Sequence, residues 1–418
     1  MDSSGTGFIV SPYLVSVPDS VVDAWATQRE VLAGRGMFYD LMATRLVVTS
    51  REDKLRLERL RGHPEEVAAF AAVAPGPFQL LTQRQVLLPE EDAFRRHRYT
   101  CVEIEINRHC NFRCSFCPVE AAPKPKAFMS PELFSLVLDR VREYGAPSIS
   151  LNHYSEPTLD PMLIERVRLA KEYGLQVRLH TNGSLLTVEK IRALAELGNV
   201  ILVINLPSVE RAEYERVTGT KLFDRVLANL RAIHEHGLPA RLSVNSPRES
   251  SDENVRRINE MFAAMFGDSV AWPTDNRAGL LKKDEYAADV QHLGRLSGCT
   301  YALNQINVAH DGKVFLCCQD FDQKYVLGDL QRMSLRQVAE SDRMAQLRRW
   351  IFGHETPPEG FICSQCSWTS SLETGSAPLN VGADVRRTQR LPGNASPAMP
   401  PWPVAWAVGA PEQGLAAG

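Results

Sequence analysis

Tyr99-Thr-Cys-Val-Glu-Ile-Glu-Ile-Asn107, followed by Arg108-His-Cys110-Asn-Phe-Arg-Cys114-Ser-Phe-Cys117, decides how the chain is read. In the first half, Val102, Ile104 and Ile106 alternate with Glu103 and Glu105, the period of a strand with two unlike faces. The second half places three thiols in eight residues, spaced x3 then x2. The thiols therefore lie on a loop at the end of a strand, where a rigid sheet can position groups for chemistry. Three thiolates hold three corners of an iron–sulfur cube, which normally takes four cysteines, so one iron is left open to a substrate or cofactor. Zinc is the rival reading, because structural zinc takes four ligands and often uses Cys-x2-Cys pairs. The plain alternative is three buried apolar cysteines.

Working outward, the 418 residues suffice for two or three domains with sizeable cores. Apolar residues make up 44% and charged residues 23%, ordinary values for a globular protein. The net charge of −3 gives no basic footprint for nucleic acid. No apolar run is long enough to span a bilayer, so no membrane partner is expected. Met1-Asp-Ser-Ser-Gly-Thr-Gly7 lacks the basic start of a signal peptide. Nine cysteines without a secretion signal favour metal ligands over disulfides, and a cytoplasmic location is expected.

From about Arg98 to Phe266 strand and helix patterns alternate, as in β/α units with parallel strands. Strands are expected at Tyr99–Asn107, Ser148–Asn152, Gln176–His180, Val200–Asn205, Ala240–Asn245 and near Ser269–Trp272. Helices are expected at Pro131–Tyr144, Pro161–Tyr173, Thr187–Leu197, Phe223–His236 and Glu253–Phe266. Six such units make an open, partial barrel, whose active groups gather at the carboxyl ends of the strands. Those ends read Cys110–Cys117, Asn152-His-Tyr-Ser-Glu-Pro157, His180-Thr-Asn-Gly-Ser184, Asn205-Leu-Pro-Ser208 and Asn245. Residues 1–95 read as a small α+β module. It has β-rich runs at Phe8–Val17 and Met37–Ser50, a helix from Arg51 capped by Ser50, and a second helix near Pro64–Val73. The apolar runs Phe78–Leu81 and Val86–Leu88 follow. Residues 96–280 are the expected barrel and 281–375 a Cys-rich module. Residues 376–418, rich in Pro, Ala and Gly, are expected to be a disordered tail.

Cys-x3-Cys-x2-Cys, with Phe116 before the last cysteine, resembles the radical S-adenosylmethionine superfamily. Four further stretches resemble that family in order: the strand ends at Ser155-Glu156, Thr181-Asn182-Gly183 and Asn205–Ser208, and the segment Glu213–Leu230. Here the two glycines that usually precede the Glu-Pro pair are absent. The resemblance implies a [4Fe–4S] cluster on Cys110, Cys114 and Cys117, whose open iron chelates the methionine amino and carboxylate groups. An electron from the cluster then yields a 5′-deoxyadenosyl radical that abstracts a hydrogen atom. It also implies S-adenosylmethionine contacts among Phe116, Ser155, Glu156, Thr181, Asn182, Asn205 and Ser208, and an electron donor such as flavodoxin or ferredoxin.

A second cysteine set comprises Cys299, Cys317, Cys318, Cys363 and Cys366. Four thiolates complete an iron–sulfur or zinc site. The arrangement resembles the SPASM or twitch auxiliary-cluster modules, with Gly312-x4-Cys317 favouring Cys317 over Cys318 as ligand of a second [4Fe–4S] cluster. Cys318 is then a spare thiol and the candidate hydrogen donor should the product be an epimer. The segment Arg277-Ala-Gly279 resembles the family's connection between barrel and module, and Arg277 is a candidate partner for a carboxylate. Asp40, Thr44 and Leu46 loosely resemble the N-terminal region of radical enzymes that mature ribosomal peptides. A precursor peptide is therefore the expected substrate, to be cross-linked, epimerised or oxidised. A carbohydrate or aminocyclitol dehydrogenase or epimerase is the alternative, because a single auxiliary cluster resembles 2-deoxy-scyllo-inosamine dehydrogenase. A non-catalytic zinc or electron-transfer protein is the alternative of another class.

Overall fold

The computed structural model describes residues 7–17, 19–26, 32–42, 45–121, 123–271, 275–281, 285–286 and 290–369. Thr44 and the expected tail from residue 376 lie outside these described residues. Among the described residues the strands are β1 (Phe8–Val10), β2 (Leu14–Ser16), β3 (Arg35–Asp40), β4 (Arg45–Ser50), β5 (Leu87–Pro89), β6 (Cys101–Ile104), β7 (Ser148–Leu151), β8 (Gln176–Thr181), β9 (Val200–Asn205), β10 (Ala240–Val244), β11 (Val270–Ala271), β12 (Gln305–Val308), β13 (Lys313–Phe315) and β14 (Val326–Asp329).

The central sheet has nine strands in the order β11-β10-β9-β8-β7-β6-β12-β13-β14. From β11 to β12 every pairing is parallel; β13 and β14 are antiparallel additions. The six parallel strands expected from sequence are all present in an open sheet. It does not stop at β6: β12, some 200 residues later, pairs parallel to it with Ile306 opposite Val102. One sheet thus runs from the β/α units into the Cys-rich module.

The alternation in β6 explains which face is which. Val102 and Ile104, with Ile149, Leu151, Val177, Leu179, Leu202 and Ile204, are buried in the main core among the helices. These helices run over Pro131–Tyr144, Leu163–Glu172, Val188–Leu197, Phe223–Glu235 and Ser251–Phe266. Each aliphatic side chain buried there contributes about 1.5–3 kcal/mol. The opposite face is polar. Paired residues project to the same side, so Asn307, Glu103, Ser150 and Arg178 form one row across β12, β6, β7 and β8.

The N-terminal residues form a β2-β3-β4 sheet and a β1-β5 pair. Ser50 caps the helix Arg51–Gly62 as expected, accepting from the Asp53 N–H. The apolar run at Phe78, left without an element from sequence, lies in the helix Pro75–Gln83, started by a proline at its first turn. Strand β6 is shorter than the expected Tyr99–Asn107; Asn107 instead bridges to Phe128. Buried Arg348 ties this module to the rest. It donates to Phe94 O at 3.0 Å, Ala339 O at 2.9 Å and the Tyr99 hydroxyl at 2.7 Å.

Candidate active site at the strand ends

The three-thiol loop rests on the turn that ends the helix Arg211–Thr218. Arg113 N donates to Thr218 O at 3.1 Å and Ser115 N to Val217 O at 2.8 Å. Gly219 makes this approach possible: it has φ +66°, and a Cβ there would lie 2.9 Å from Arg113 O. Phe116 is buried with Val217, Leu281 and Tyr286, and Cys114 and Cys117 pack on that cluster. Burial, then the nearby Glu156 carboxylate, push the Cys110 thiol up to about 12. Such a thiol ionises when a metal supplies the compensating charge.

Glu156 knots three strand ends together. Its carboxylate is buried and accepts from Thr158 N (3.0 Å), Thr158 Oγ1 (2.5 Å), Thr181 Oγ1 (2.7 Å) and Asn182 N (2.7 Å). Burial raises its pKa, and these donors oppose the rise. Its backbone holds the thiol loop, with Glu156 N donating to His109 O at 2.9 Å and Asn107 Nδ2 donating to Glu156 O at 3.1 Å. Asn182 Nδ2 donates to Asn111 Oδ1 at 2.9 Å and to Cys110 Sγ at 3.9 Å. Thr181, Asn182, Glu156 and the thiol loop are therefore one hydrogen-bonded unit. Further round the sheet, Asn205 Oδ1 accepts from Asn245 Nδ2 at 2.9 Å, and the buried Ser208 Oγ accepts from Glu210 N at 3.0 Å.

Where sequence shows no glycines, the structure shows a substitute. His153 takes φ +98°, a left-handed conformation that glycine adopts freely. His153 Nε2, Tyr154 OH, Ser155 Oγ, Ser150 Oγ and His180 Nε2 are buried without hydrogen-bond partners among the described residues. Buried polar groups rarely stay unpaired, so five of them on β7, β8 and the loop after β7 suit a polar ligand between the strand ends. Sequence reasoning missed Tyr154 and His180; the signal was their place at the carboxyl ends of strands.

Cys299, Cys317, Cys363 and Cys366 line one small cavity with Tyr301, Gln319 and Trp368. No disulfide joins any of the nine cysteines, all of which are described residues. Burial raises Cys317, Cys363 and Cys366 well above the ordinary thiol range, and the neighbouring thiols add to it. Among the described residues, no group of three or more His, Cys, Asp or Glu gathers as for a single metal ion; the thiols surround a space. Cys318 is not among the cavity's lining residues. Its thiol is pushed up to about 12 by burial and by Asp275, with Glu103 of the polar row also contributing.

Residues 104–258 match the model of the radical SAM superfamily, and residues 299–367 match the iron–sulfur cluster-binding SPASM domain. The chain carries a radical SAM domain followed by a SPASM domain. A radical SAM domain implies a [4Fe–4S] cluster and S-adenosylmethionine, and a SPASM domain implies further iron–sulfur clusters. The chain is 32% identical over 159 residues to a probable GTP 3′,8-cyclase of Saccharolobus solfataricus, covering 38% of this chain and 51% of that relative. The chain spans about half the length of the first curated relatives it matches. An S-adenosyl-L-methionine-dependent 2-deoxy-scyllo-inosamine dehydrogenase of Niallia circulans is 22% identical over 274 residues, covering 64% of this chain and 93% of that one. Among solved structures, BtrN with AdoMet and 2-DOIA matches with a TM-score of 0.47, 20% identity, 65% of this chain and 94% of that one. Streptococcus suis SuiB bound to the precursor peptide SuiA matches with a TM-score of 0.48, 12% identity, 86% of this chain and 93% of that one. No helix among the described residues is long and apolar enough to cross a membrane.

Proposed function

We propose that Cys110, Cys114 and Cys117 hold the catalytic [4Fe–4S] cluster and that Cys299, Cys317, Cys363 and Cys366 hold an auxiliary one. When bound, the catalytic cluster and S-adenosylmethionine supply a 5′-deoxyadenosyl radical able to take a hydrogen atom from unactivated carbon. The chain's own work is to bind, orient and exclude water. Glu156 carries no spare role as a free carboxylate: its oxygens fix Thr181 and Asn182 against the thiol loop. Ser155 Oγ, unpartnered beside it, is the better acceptor for the methionine ammonium. Asn182 orients Cys110 through its amide. The single observation carrying this reading is that the thiol loop and Glu156 unit borders a row of buried polar atoms without partners.

The substrate in this proposal is a ribosomally made precursor peptide. Support comes from the N-terminal β2-β3-β4 sheet, in which β4 pairs with β3 alone among the described strands. An open edge can take a peptide as an added strand. Cys318, which does not line the four-thiol cavity, serves as hydrogen donor if the product is an epimer. The test is binding of the reconstituted chain to synthetic leader peptides encoded beside its gene. Binding to one of them supports the peptide reading, and binding to none of them ends it. A second reading, oxidation of an aminocyclitol alcohol, is favoured by the Niallia circulans relative and by the polar row Asn307–Glu103–Ser150–Arg178. Turnover of 2-deoxy-scyllo-inosamine without any leader binding selects it.

A further inference from the structure

Asp275-Asn276-Arg277-Ala278-Gly279 lies between the last β/α unit and the C-terminal thiols. Its backbone is unusual, with Arg277 at φ +49° and Ala278 at φ +51°. Strain of this kind persists where surrounding contacts over-determine it, and here the contacts are to the second thiol set.

Asn276 is fully buried and brackets Cys366. Its Nδ2 donates to Gln365 O at 2.7 Å, its Oδ1 accepts from Ser367 N at 3.1 Å, and its own N–H donates to Ser367 Oγ at 3.3 Å. Asp275, also buried, holds the cavity wall. Its Oδ2 accepts from Gln319 Nε2 at 2.9 Å, from Arg277 Nη1 at 3.1 Å and from the indole N–H of Trp368. Its Oδ1 accepts from Arg277 N at 2.9 Å. Gln319 and Trp368 both line the four-thiol cavity. Two consecutive side chains, neither a thiol, thus fix two of the three segments that line the cavity.

We propose that Asp275 and Asn276 are positioning residues of the auxiliary site: Asn276 fixes the loop of Cys363 and Cys366, and Asp275 fixes the wall and sets the reduction potential there by its buried charge. The inference rests on the four thiols being ligands. A carboxylate behind Gln319 and Trp368 opposes an added electron in the cavity. Converting it to an amide removes that charge and leaves the Arg277 guanidinium uncompensated, so both changes move the potential to more positive values.

The test uses the full chain, reconstituted anaerobically with iron and sulfide. Asp275→Asn is expected to keep about eight irons, as for two cubanes. Its auxiliary potential moves positive while the spectrum of the catalytic cluster with S-adenosylmethionine is unchanged. Eight irons with an unmoved auxiliary potential overturns the inference alone. A wild-type chain that holds about four irons overturns the ligand reading and the inference with it. If Asp275→Asn loads poorly, Asp275→Glu is expected to restore loading, and equal loss in both overturns the charge assignment. Asn276→Ala is expected to drop iron to about four with the catalytic-cluster signal retained; a full auxiliary signal in that variant contradicts its bracketing role.

Discussion

Glu156 accepts four hydrogen bonds from three residues, two of them 25 and 26 positions away in the chain. Glu156→Gln turns one acceptor oxygen into an NH2 that faces donors. We expect a loss of about 1–3 kcal/mol, read as a lower Tm, because a buried donor is left unsatisfied. Loosening of the thiol loop follows, measured as weaker S-adenosylmethionine binding. Unchanged Tm and binding contradict the knot. The thiols themselves were legible in the sequence, because for them residue type and spacing are the chemistry. The occupancy of Glu156 was not, because its partners come from a different strand end. Nor was His153 at φ +98°, since nothing in its residue type announces a left-handed backbone.

The thiol loop as an element depends on the helix end beneath it. Gly219→Ala must adopt φ +66° and place a Cβ against the Arg113 carbonyl. The left-handed conformation alone costs about 1–2 kcal/mol, and Arg113 must shift, carrying Cys110 and Cys114 with it. The expected outcome is lower Tm together with reduced iron on the catalytic site; full iron at a lowered Tm separates fold from loop. The alternating elements between β6 and β11 were readable to within a few residues, because each buries a continuous apolar stripe. Two features were not. Phe78–Leu81 is apolar at both strand and helix periods, and Pro75 decides for helix by starting one. Strand β12 joins β6 across about 200 residues, a pairing that no local pattern encodes. Asp275 and Asn276 escaped notice for the same reason, with Arg277 the more conspicuous residue beside them.

At the scale of the molecule, buried charge links the modules. Arg348→Ala leaves Phe94 O, Ala339 O and the Tyr99 hydroxyl without their donor and opens a cavity. We expect a loss of about 3 kcal/mol or more, read from the denaturant midpoint; a loss below about 1 kcal/mol contradicts this. Acid acts on a second junction. Burial, the largest effect, lowers His153 to about 4, so below its ordinary 6.5 the unfolded chain takes up a proton that the native chain refuses. Glu105 is held at about 2: burial opposes this, and hydrogen bonds from His310 and Gln323 outweigh it. Both groups make the unfolded state bind more protons on acidification, so stability falls as pH drops from about 6.5 towards 2. A Tm that stays flat from pH 7 to 4 contradicts the His153 assignment.

The central claim is that one chain carries two iron–sulfur sites, one of them open to S-adenosylmethionine. The direct measurement is anaerobic reconstitution with iron and sulfide, then reduction with S-adenosylmethionine present, counting iron and 5′-deoxyadenosine together. The account predicts about eight irons per chain with deoxyadenosine released, and about four with none released after Cys110, Cys114 and Cys117 are changed to Ala. Zinc at both thiol sets with no deoxyadenosine contradicts it.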